Sequence, residues 1–302
     1  MVTHIFSTQG KRDYQEDNLY IRIDANDKKK SIETETFEKI NIDILGVFDG
    51  HGGADVSKTI CRMLPEYFYK RNILEDNTPK PNNKFNKFIV STFDDIQNKL
   101  NAKYKESTSQ GSTVCMCFIY DFKGKKCITS CWVGDSRAIA CNNYLMAESL
   151  TLDHKPDGIL EKKRIESLGG TVTFEKNDVP RINGIIAVSR SLGDFDQKKY
   201  IEHKPDITHF ICNFKFVVVA TDGLWDVMSN QMVCDFVLNC IIEKPKVLTS
   251  NQQTKSEFNI AYRLTQKAME LNSQDNITVI VHILDNNIDN YNKYITKFSI
   301  SD

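Results

Sequence analysis

No stretch of this 302-residue chain approaches the roughly 20 consecutive apolar residues that a membrane-spanning helix needs. The start, Met1 to Arg12, also lacks the apolar core of a secretory signal. There is no surplus of charge either, with 39 Lys and Arg against 40 Asp and Glu. Without a basic excess, neither nucleic acid nor an anionic membrane is an expected partner. The nine cysteines form no Cys-x-x-Cys pair, which argues against zinc. Their odd number, and the place of Cys115, Cys117 and Cys131 inside strand-like runs, predict reduced, buried thiols in a cytoplasmic or nuclear protein. Internal repeats are absent, and no break in composition marks a domain boundary. A single domain over residues 1–285 is expected, monomeric, with a polar tail at 286–302.

Hydrophobic residues make up 40% of the chain, enough for a sizeable core. Two strands are predicted between His4 and Ile23, around Gln9-Gly10-Lys11-Arg12, followed by a surface loop over 24–39. A helix starts near Ala54, and Pro65 is expected to end or kink it. Residues 72–83 read as a linker. Phe85, Phe88, Ile89, Thr92, Phe93, Ile96 and Leu100 recur at helical spacing and mark a core-facing helix. Strands are predicted at 113–120, 127–133, 138–141, 184–188 and 216–221. A helix over 158–168 stops at Gly169-Gly170. Ser229 caps a helix through Ile242, and 244–255 is a polar insertion. Ser256 caps a helix to about Leu271, and the last strand ends at Leu284.

Three of the apolar runs stop on an aspartate. They are Ile42 to Phe48 before Asp49, Cys127 to Gly134 before Asp135, and Phe216 to Thr221 before Asp222. In reverse, Asp275-Asn276 precedes the run Ile277 to Leu284. Aspartate after a strand is ordinary turn chemistry, but four at one place need another reason. If the fourth strand is antiparallel to the others, all four carboxylates meet at one end of one sheet. Crowded carboxylates repel and are costly to desolvate unless cations sit among them. Oxygen-only ligands suit Mg²⁺ or Mn²⁺. Near the start, Arg12 joins Glu16 and Asp17; a guanidinium is shaped to hold a phosphate by two parallel hydrogen bonds. His51, two residues past Asp49, could protonate a departing oxygen or serve as a structural hydrogen-bonder; the adjacent glycines, which let backbone come close to a metal or phosphate, favour the first. The pattern points to metal-assisted hydrolysis of a phosphate ester.

These residues also carry a family resemblance. Arg12-x-x-x-Glu16-Asp17 and Val47-Phe48-Asp49-Gly50-His51-Gly52-Gly53 come first. Gly111-Ser112-Thr113, Val133-Gly134-Asp135-Ser136-Arg137-Ala138 and Leu152-Asp153-His154-Lys155-Pro156 follow. Then come Arg181-Ile182-Asn183-Gly184, the run Ala187 to Phe195, Ala220-Thr221-Asp222-Gly223-Leu224-Trp225-Asp226 and Asp275-Asn276. In this order the series resembles the metal-dependent protein phosphatases, the type 2C serine/threonine phosphatases. The resemblance implies an α+β fold, a β-sandwich of two antiparallel sheets flanked by helices. It also implies hydrolysis of phosphoserine and phosphothreonine in phosphorylated proteins, by direct attack of a water or hydroxide that bridges two Mn²⁺ or Mg²⁺ ions. By the same resemblance Asp49 bridges the ions, and Asp222 and Asp275 complete one site. Glu16 and the carbonyl of Gly50 serve the other, with Asp17 close behind. Thr113 and Asp135 fall where a weaker third ion is placed. Arg12 holds the phosphate and His51 is the general acid. Asp194 and Asp226 lie in matching motifs and read as structural, or as supporting the residues that touch ions and substrate. Residues 150–200 match a variable flap beside the site; Ile201 to Ile207 departs from the acidic Pro-Glu-Pro form usual there.

Three other readings compete. Cys131-x5-Arg137 fits the spacing of a cysteine-nucleophile phosphatase, but Asp135 inside that loop would repel phosphate, and a strand cysteine is unactivated. A non-catalytic binding module on the same fold would have lost metal ligands, and none is missing here. A phosphatase of a non-protein phosphoester shares the phosphoryl group and stays open.

Overall fold

The computed structural model describes residues 2–23, 42–70, 83–104, 109–122, 124–176, 178–243 and 259–285. The expected loop 24–39, linker residues 72–82, the insertion 244–255, the cap at Ser256 and the tail 286–302 lie outside the described residues. Two five-stranded antiparallel sheets form the centre. The first runs β1 (Val2–Thr8), β15 (Ile277–Ile283), β14 (Phe214–Ala220), β8 (Arg137–Asn142), β9 (Ala147–Ser149). The second runs β13 (Asp206–Ile211), β7 (Lys125–Val133), β6 (Val114–Phe122), β3 (Ile42–Phe48), β2 (Asn18–Arg22). The two N-terminal strands predicted around Gly10 are thus real but lie in different sheets.

Side chains of a strand alternate between its two faces, so a strand buried on both sides reads as a continuous apolar run. In β14, Val217 and Val219 pack between the sheets against Leu45, Val47, Cys115, Cys117 and Ile280. Phe216, Val218 and Ala220 face the other way, towards α5 (Asn230–Ile242) and α6 (Ile260–Glu270). In β6, Val114, Met116 and Phe118 face α1 (Asp55–Lys70) and α2 (Asn83–Tyr104). The layers are therefore helix, sheet, sheet, helix, as the resemblance implies. The stripe on α2 is core as read: Ile89, Phe93, Ile96 and Leu100 are fully buried.

Pro65 does not end α1, which continues to Lys70. A proline costs a helix one N–H and a clash with the preceding turn, but Leu64 and Phe68 on either side are buried in the core and hold the next turn in place. Helix α6 is capped by Asn259, whose side chain accepts the N–H of Tyr262. The strand predicted at 184–188 is a turn, in which Ile186 forms a single bridge to Ile182. Positive φ at Asn183 and Gly184 bends the chain there and prevents an extended run. Strand β13 was not foreseen, because the apolar residues of its half-exposed run, Ile207, Phe210 and Ile211, follow neither an alternating nor a continuous pattern.

Short pairs β10 (Val172–Thr173) with β11 (Arg181–Ile182), and the helix α3 (Ile159–Ser167), build the flap beside the cavity described below. Its anchor is Glu161, buried on α3. Arg190 donates two hydrogen bonds to Oε1 at 2.9 and 2.6 Å, and Arg164 two to Oε2 at 3.2 and 2.9 Å. Burial alone would lift the Glu161 carboxyl, but the two guanidiniums outweigh it and hold it below its ordinary value. Arg190 also reaches Asp206 Oδ1 at 2.9 Å. A hydrogen bond from His154, reinforced by the charge of Arg190, outweighs partial burial and holds Asp206 at about 2.

Both carboxyls titrate lower in the fold than in the open chain. Their contribution is therefore complete above the ordinary carboxylate range, about pH 4 to 5, and fades as pH falls below it. Hydrogen exchange of residues 159–206 should accelerate between pH 5 and pH 3 before the sheets open. Glu161→Ala should produce the same local opening at pH 7. Removing one partner of a buried pair costs about 3–5 kcal/mol; the two arginines keep 26% and 18% exposure, so roughly 2 kcal/mol is expected here.

Candidate active site

The four strand-end aspartates do meet, but at the junction of two sheets and not at the end of one. Asp49 follows β3, and Asp135 follows β7 after Gly134. Strands β3 and β7 both pair antiparallel with β6, so they run the same way and end on the same side. Asp222 follows β14 and opens the short helix α4 (Asp222–Trp225), while Asp275 precedes β15. Since β14 and β15 are antiparallel, the end of one lies beside the start of the other. All four side chains line a single cavity of about 660 Å³, together with Arg12, Glu16, Gly50, His51 and Thr113.

Crowding dominates the electrostatics. Burial first, then Asp222, Asp17, Asp135 and Asp275, push Asp49 well above the ordinary carboxylate range. Burial with Asp135, Asp226 and Asp275 does the same to Asp222. Asp17 sits behind the cavity wall. Its Oδ2 accepts from Thr221 at 2.9 Å and Thr278 at 2.7 Å, and burial lifts it to about 7. One oxygen of Asp17 and one of Asp222 are buried with no hydrogen-bond partner. Among the described residues no three His, Cys, Asp or Glu side chains close on one point. Cations of the protein instead meet two of the carboxylates: Arg12 donates to Asp275 at 2.5 Å, and Lys155 to Asp135 at 2.5 Å. Unpartnered buried carboxylate oxygens, an all-oxygen donor set and mutual repulsion are the features a hard divalent ion would satisfy.

The loop carrying Arg12 and Glu16 is shaped by Asn276. Its amide donates to the carbonyls of Gln9 and Tyr14 at 2.8 and 2.9 Å, and its oxygen accepts the Glu16 N–H at 2.8 Å. The Glu16 carbonyl accepts from Ser57 at 2.6 Å, which ties the loop to α1. At Gly50 a side chain would lie 2.6 Å from that carbonyl, so only glycine lets β4 (Gly50–His51) pass. Thr113 clamps the wall. Its N–H donates to the Asp49 carbonyl at 2.8 Å, and its hydroxyl accepts the Asp49 N–H at 3.2 Å and bonds Ser136 at 2.7 Å.

His51 is held by Asp194, which takes the supporting place that was one of the two roles expected of it. Its Nε2 lies 2.8 and 2.9 Å from the two oxygens of Asp194. Asp194 is itself buried, in a left-handed backbone conformation, and accepts a hydrogen bond from Ser191. Burial alone would lower the His51 pKa, but Asp194, with Asp135 and Glu16, outweighs it and holds the ring above its ordinary value. Gly111 faces this pair, and any side chain there would lie 2.1 Å from Asp194 and 2.5 Å from His51. The glycine before Asp194 and the motif containing it were visible in the sequence; nothing in their spacing said that they reach His51.

A cysteine nucleophile is ruled out by the same geometry. Cys131 is fully buried in β7, and burial pushes its thiol well above its ordinary value. Arg137 is held by both oxygens of Asp153 at 2.9 and 2.7 Å and lies over the ring of Trp225. All nine cysteines are free thiols, seven of them buried, in line with the expectation.

A sequence profile of the protein phosphatase 2C family matches residues 6–277. The chain is 34% identical over 248 residues to probable protein phosphatase 2C 44 of Oryza sativa subsp. japonica, covering 79% of this chain and 67% of that protein. It is 32% identical over 244 residues to protein phosphatase 1L of Bos taurus, covering 77% of this chain and 62% of that one. Among solved structures, a C. elegans sex determining protein superposes with a TM-score of 0.78 at 22% identity, over 96% of this chain and 66% of that chain. A serine-threonine phosphatase 2C from Toxoplasma gondii superposes with a TM-score of 0.72 at 21% identity, over 94% of both chains. The structural likenesses establish the fold, and the family profile over residues 6–277, with 34% identity to a relative over 79% of the chain, establishes that this chain belongs to the protein phosphatase 2C family of metal-dependent serine/threonine phosphatases.

Proposed function

We propose that this chain removes phosphate from phosphoserine and phosphothreonine in proteins, with Mn²⁺ or Mg²⁺ held by the cavity carboxylates. The observation that carries the reading is the convergence of Asp49, Asp222, Asp275 and Glu16 on one cavity, with Arg12 at its wall. In this reading Asp49 would help to hold two ions, Asp222 and Asp275 would hold one of them, and Glu16 with the Gly50 carbonyl would hold the other. Asp17 lies behind them and holds Thr221 and Thr278 in place. Asp135 belongs to a weaker third site, where Thr113 acts by fixing Asp49 and Ser136, since its hydroxyl is already committed to both. When bound, the ions supply positive charge against the phosphoryl oxygens and make water acidic enough to react at neutral pH.

The chain's own groups do the rest. Arg12 is exposed at the cavity wall and offers planar donors to a phosphate. His51 donates its Nε2 proton to Asp194, so Nδ1 is the nitrogen left to give a proton to the departing serine or threonine oxygen. Asp194 fixes the ring and favours its charged form. No observation favours a non-catalytic module, since every expected ligand is in the cavity wall or, for Asp17, directly behind it. The catalytic unit in this reading is residues 1–285, and the substrate is a phosphorylated segment of another protein.

Phosphate release from a phosphothreonine peptide should vanish in EDTA and return with Mn²⁺ or Mg²⁺. Full activity in EDTA would refute the reading. Asp49→Asn and Asp222→Asn should each lower turnover by more than ~10²-fold while circular dichroism stays native, because neutralising one of several like charges relieves repulsion. Wild-type turnover of Asp49→Asn at saturating Mn²⁺ would remove Asp49 from its bridging role.

Arg12→Ala should raise KM for a phosphopeptide more than it lowers kcat. His51→Gln and Asp194→Asn should act mainly on kcat. For a phosphoserine peptide, whose alkoxide leaves poorly, a loss of about 10²-fold or more is expected for His51→Gln. For p-nitrophenyl phosphate, whose phenolate needs no proton, the loss should be small. Equal losses on both substrates would return His51 to a structural role.

A further inference from the structure

The segment Leu152-Asp153-His154-Lys155 takes no part in the chemistry above, yet it is anchored at every residue. Trp132 donates its indole N–H to the Leu152 carbonyl at 2.6 Å. Asp153 accepts two hydrogen bonds from Arg137. The His154 ring stacks on Trp132, with centroids 5.7 Å apart and planes 11° from parallel. Its Nδ1 accepts the Gly134 N–H at 3.2 Å, which leaves the Nε2 proton to be donated to Asp206 at 3.1 Å. The His154 N–H in turn donates to the Gly134 carbonyl at 2.9 Å. This holds the segment against the turn between β7 and Asp135, with Lys155 as the next residue.

Lys155 is thereby delivered to the cavity wall with its ammonium 2.5 Å from Asp135 Oδ2. Asp135 is only 3% exposed, so water does little to solvate its charge. The same ammonium acts favourably on Asp222 and Asp226, which also line the cavity. Three carboxylates, from β7 and from either end of α4, thus share one positive charge that the chain itself provides. A divalent ion at this corner would have to bind against that charge and take an oxygen of Asp135 from it. Asp226, expected to be structural or to support the site, is exposed and lines the same cavity.

We propose that Lys155 is a positioning residue, a built-in countercharge for Asp135, Asp222 and Asp226 that limits how tightly this corner of the cavity takes a third divalent ion. This rests on the reading of Asp135 as a cation ligand. Without a cation Lys155 holds the three carboxylates in place, and with one it competes. Shape is not the point: an arginine should serve nearly as well, and an uncharged side chain of similar length should not.

The test is calorimetric titration of Mn²⁺ into metal-stripped protein, for the wild type, Lys155→Met, Lys155→Arg and the double variant Lys155→Met/Asp135→Asn. The wild type should show two tighter binding events and a weaker one. In Lys155→Met the weak event should tighten by about 10-fold or more, since a unit charge a few ångströms away acts strongly in a partly desolvated site. Lys155→Arg should match the wild type, and the double variant should lose the weak event while keeping the tighter pair. An unmoved weak event in Lys155→Met, or equal tightening in Lys155→Arg, overturns the proposal while the functional reading stands. Absence of the tighter pair in the wild type overturns the functional reading and this proposal with it. Lys155→Met protein that folds only with Mn²⁺ present supports the proposal, because the ion then replaces the lost charge. Protein that stays unfolded at saturating Mn²⁺ overturns it, because Lys155 is then an anchor and not a stand-in for an ion.

Discussion

Repulsion among carboxylates confined to one cavity is the constraint around which this molecule is arranged. Asp49, Asp135, Asp222 and Asp275 come from two sheets, and Glu16 from a loop, yet all face the same space. Burial makes the charges of Asp49 and Asp222 more costly, and neighbours of like sign add to that. A soft scaffold would relieve the strain by moving the strand ends apart. A sandwich with fully buried side chains on both faces of β3, β6 and β14 resists that movement, because close-packed cores deform little. The stability of the core and the discomfort of the site are therefore two sides of one arrangement.

Positive charge is admitted to this cavity only where it is tethered. Lys155 and Arg12 each meet one carboxylate, and each comes from a segment held by several hydrogen bonds of its own. Arg12 depends on Asn276, which shapes the loop through three hydrogen bonds, and Lys155 depends on His154 and Trp132. His51 follows the same logic, since its ring is held by the buried carboxylate of Asp194. The flap beside the cavity is secured by Glu161, Arg164, Arg190 and Asp206, and Asp206 also holds His154, the neighbour of Lys155.

Much of this was legible in the chain. Runs such as Phe216 to Thr221 and Ile277 to Leu284 mark strands buried on both faces, since a strand exposed on one side would alternate. The stripe from Phe85 to Leu100 marks a helix by its period, and the aspartates ending the runs mark the site. Weak signals failed where the chain is half-exposed or turning. Asp206 to Ile211 holds strand-favouring residues, Ile207, Thr208, Phe210 and Ile211, but they neither alternate nor form a continuous apolar run, and it is pairing with β7 that makes the segment a strand. Gly184 to Val188 carries strand-like residues, but the turn at Asn183 and Gly184 overrides them.

The sequence by itself determined which residues carry charge, which runs must be buried and where each run ends. Those follow from side-chain chemistry and local period, which need no partner. The tertiary structure alone decided which of these residues meet. That the aspartates are divided between two sheets, that Asp194 reaches His51 across 143 positions, and that Lys155 faces Asp135 are results of how the sheets stack and the loops return. Contacts between distant segments depend on packing geometry, and no short stretch of sequence contains that geometry.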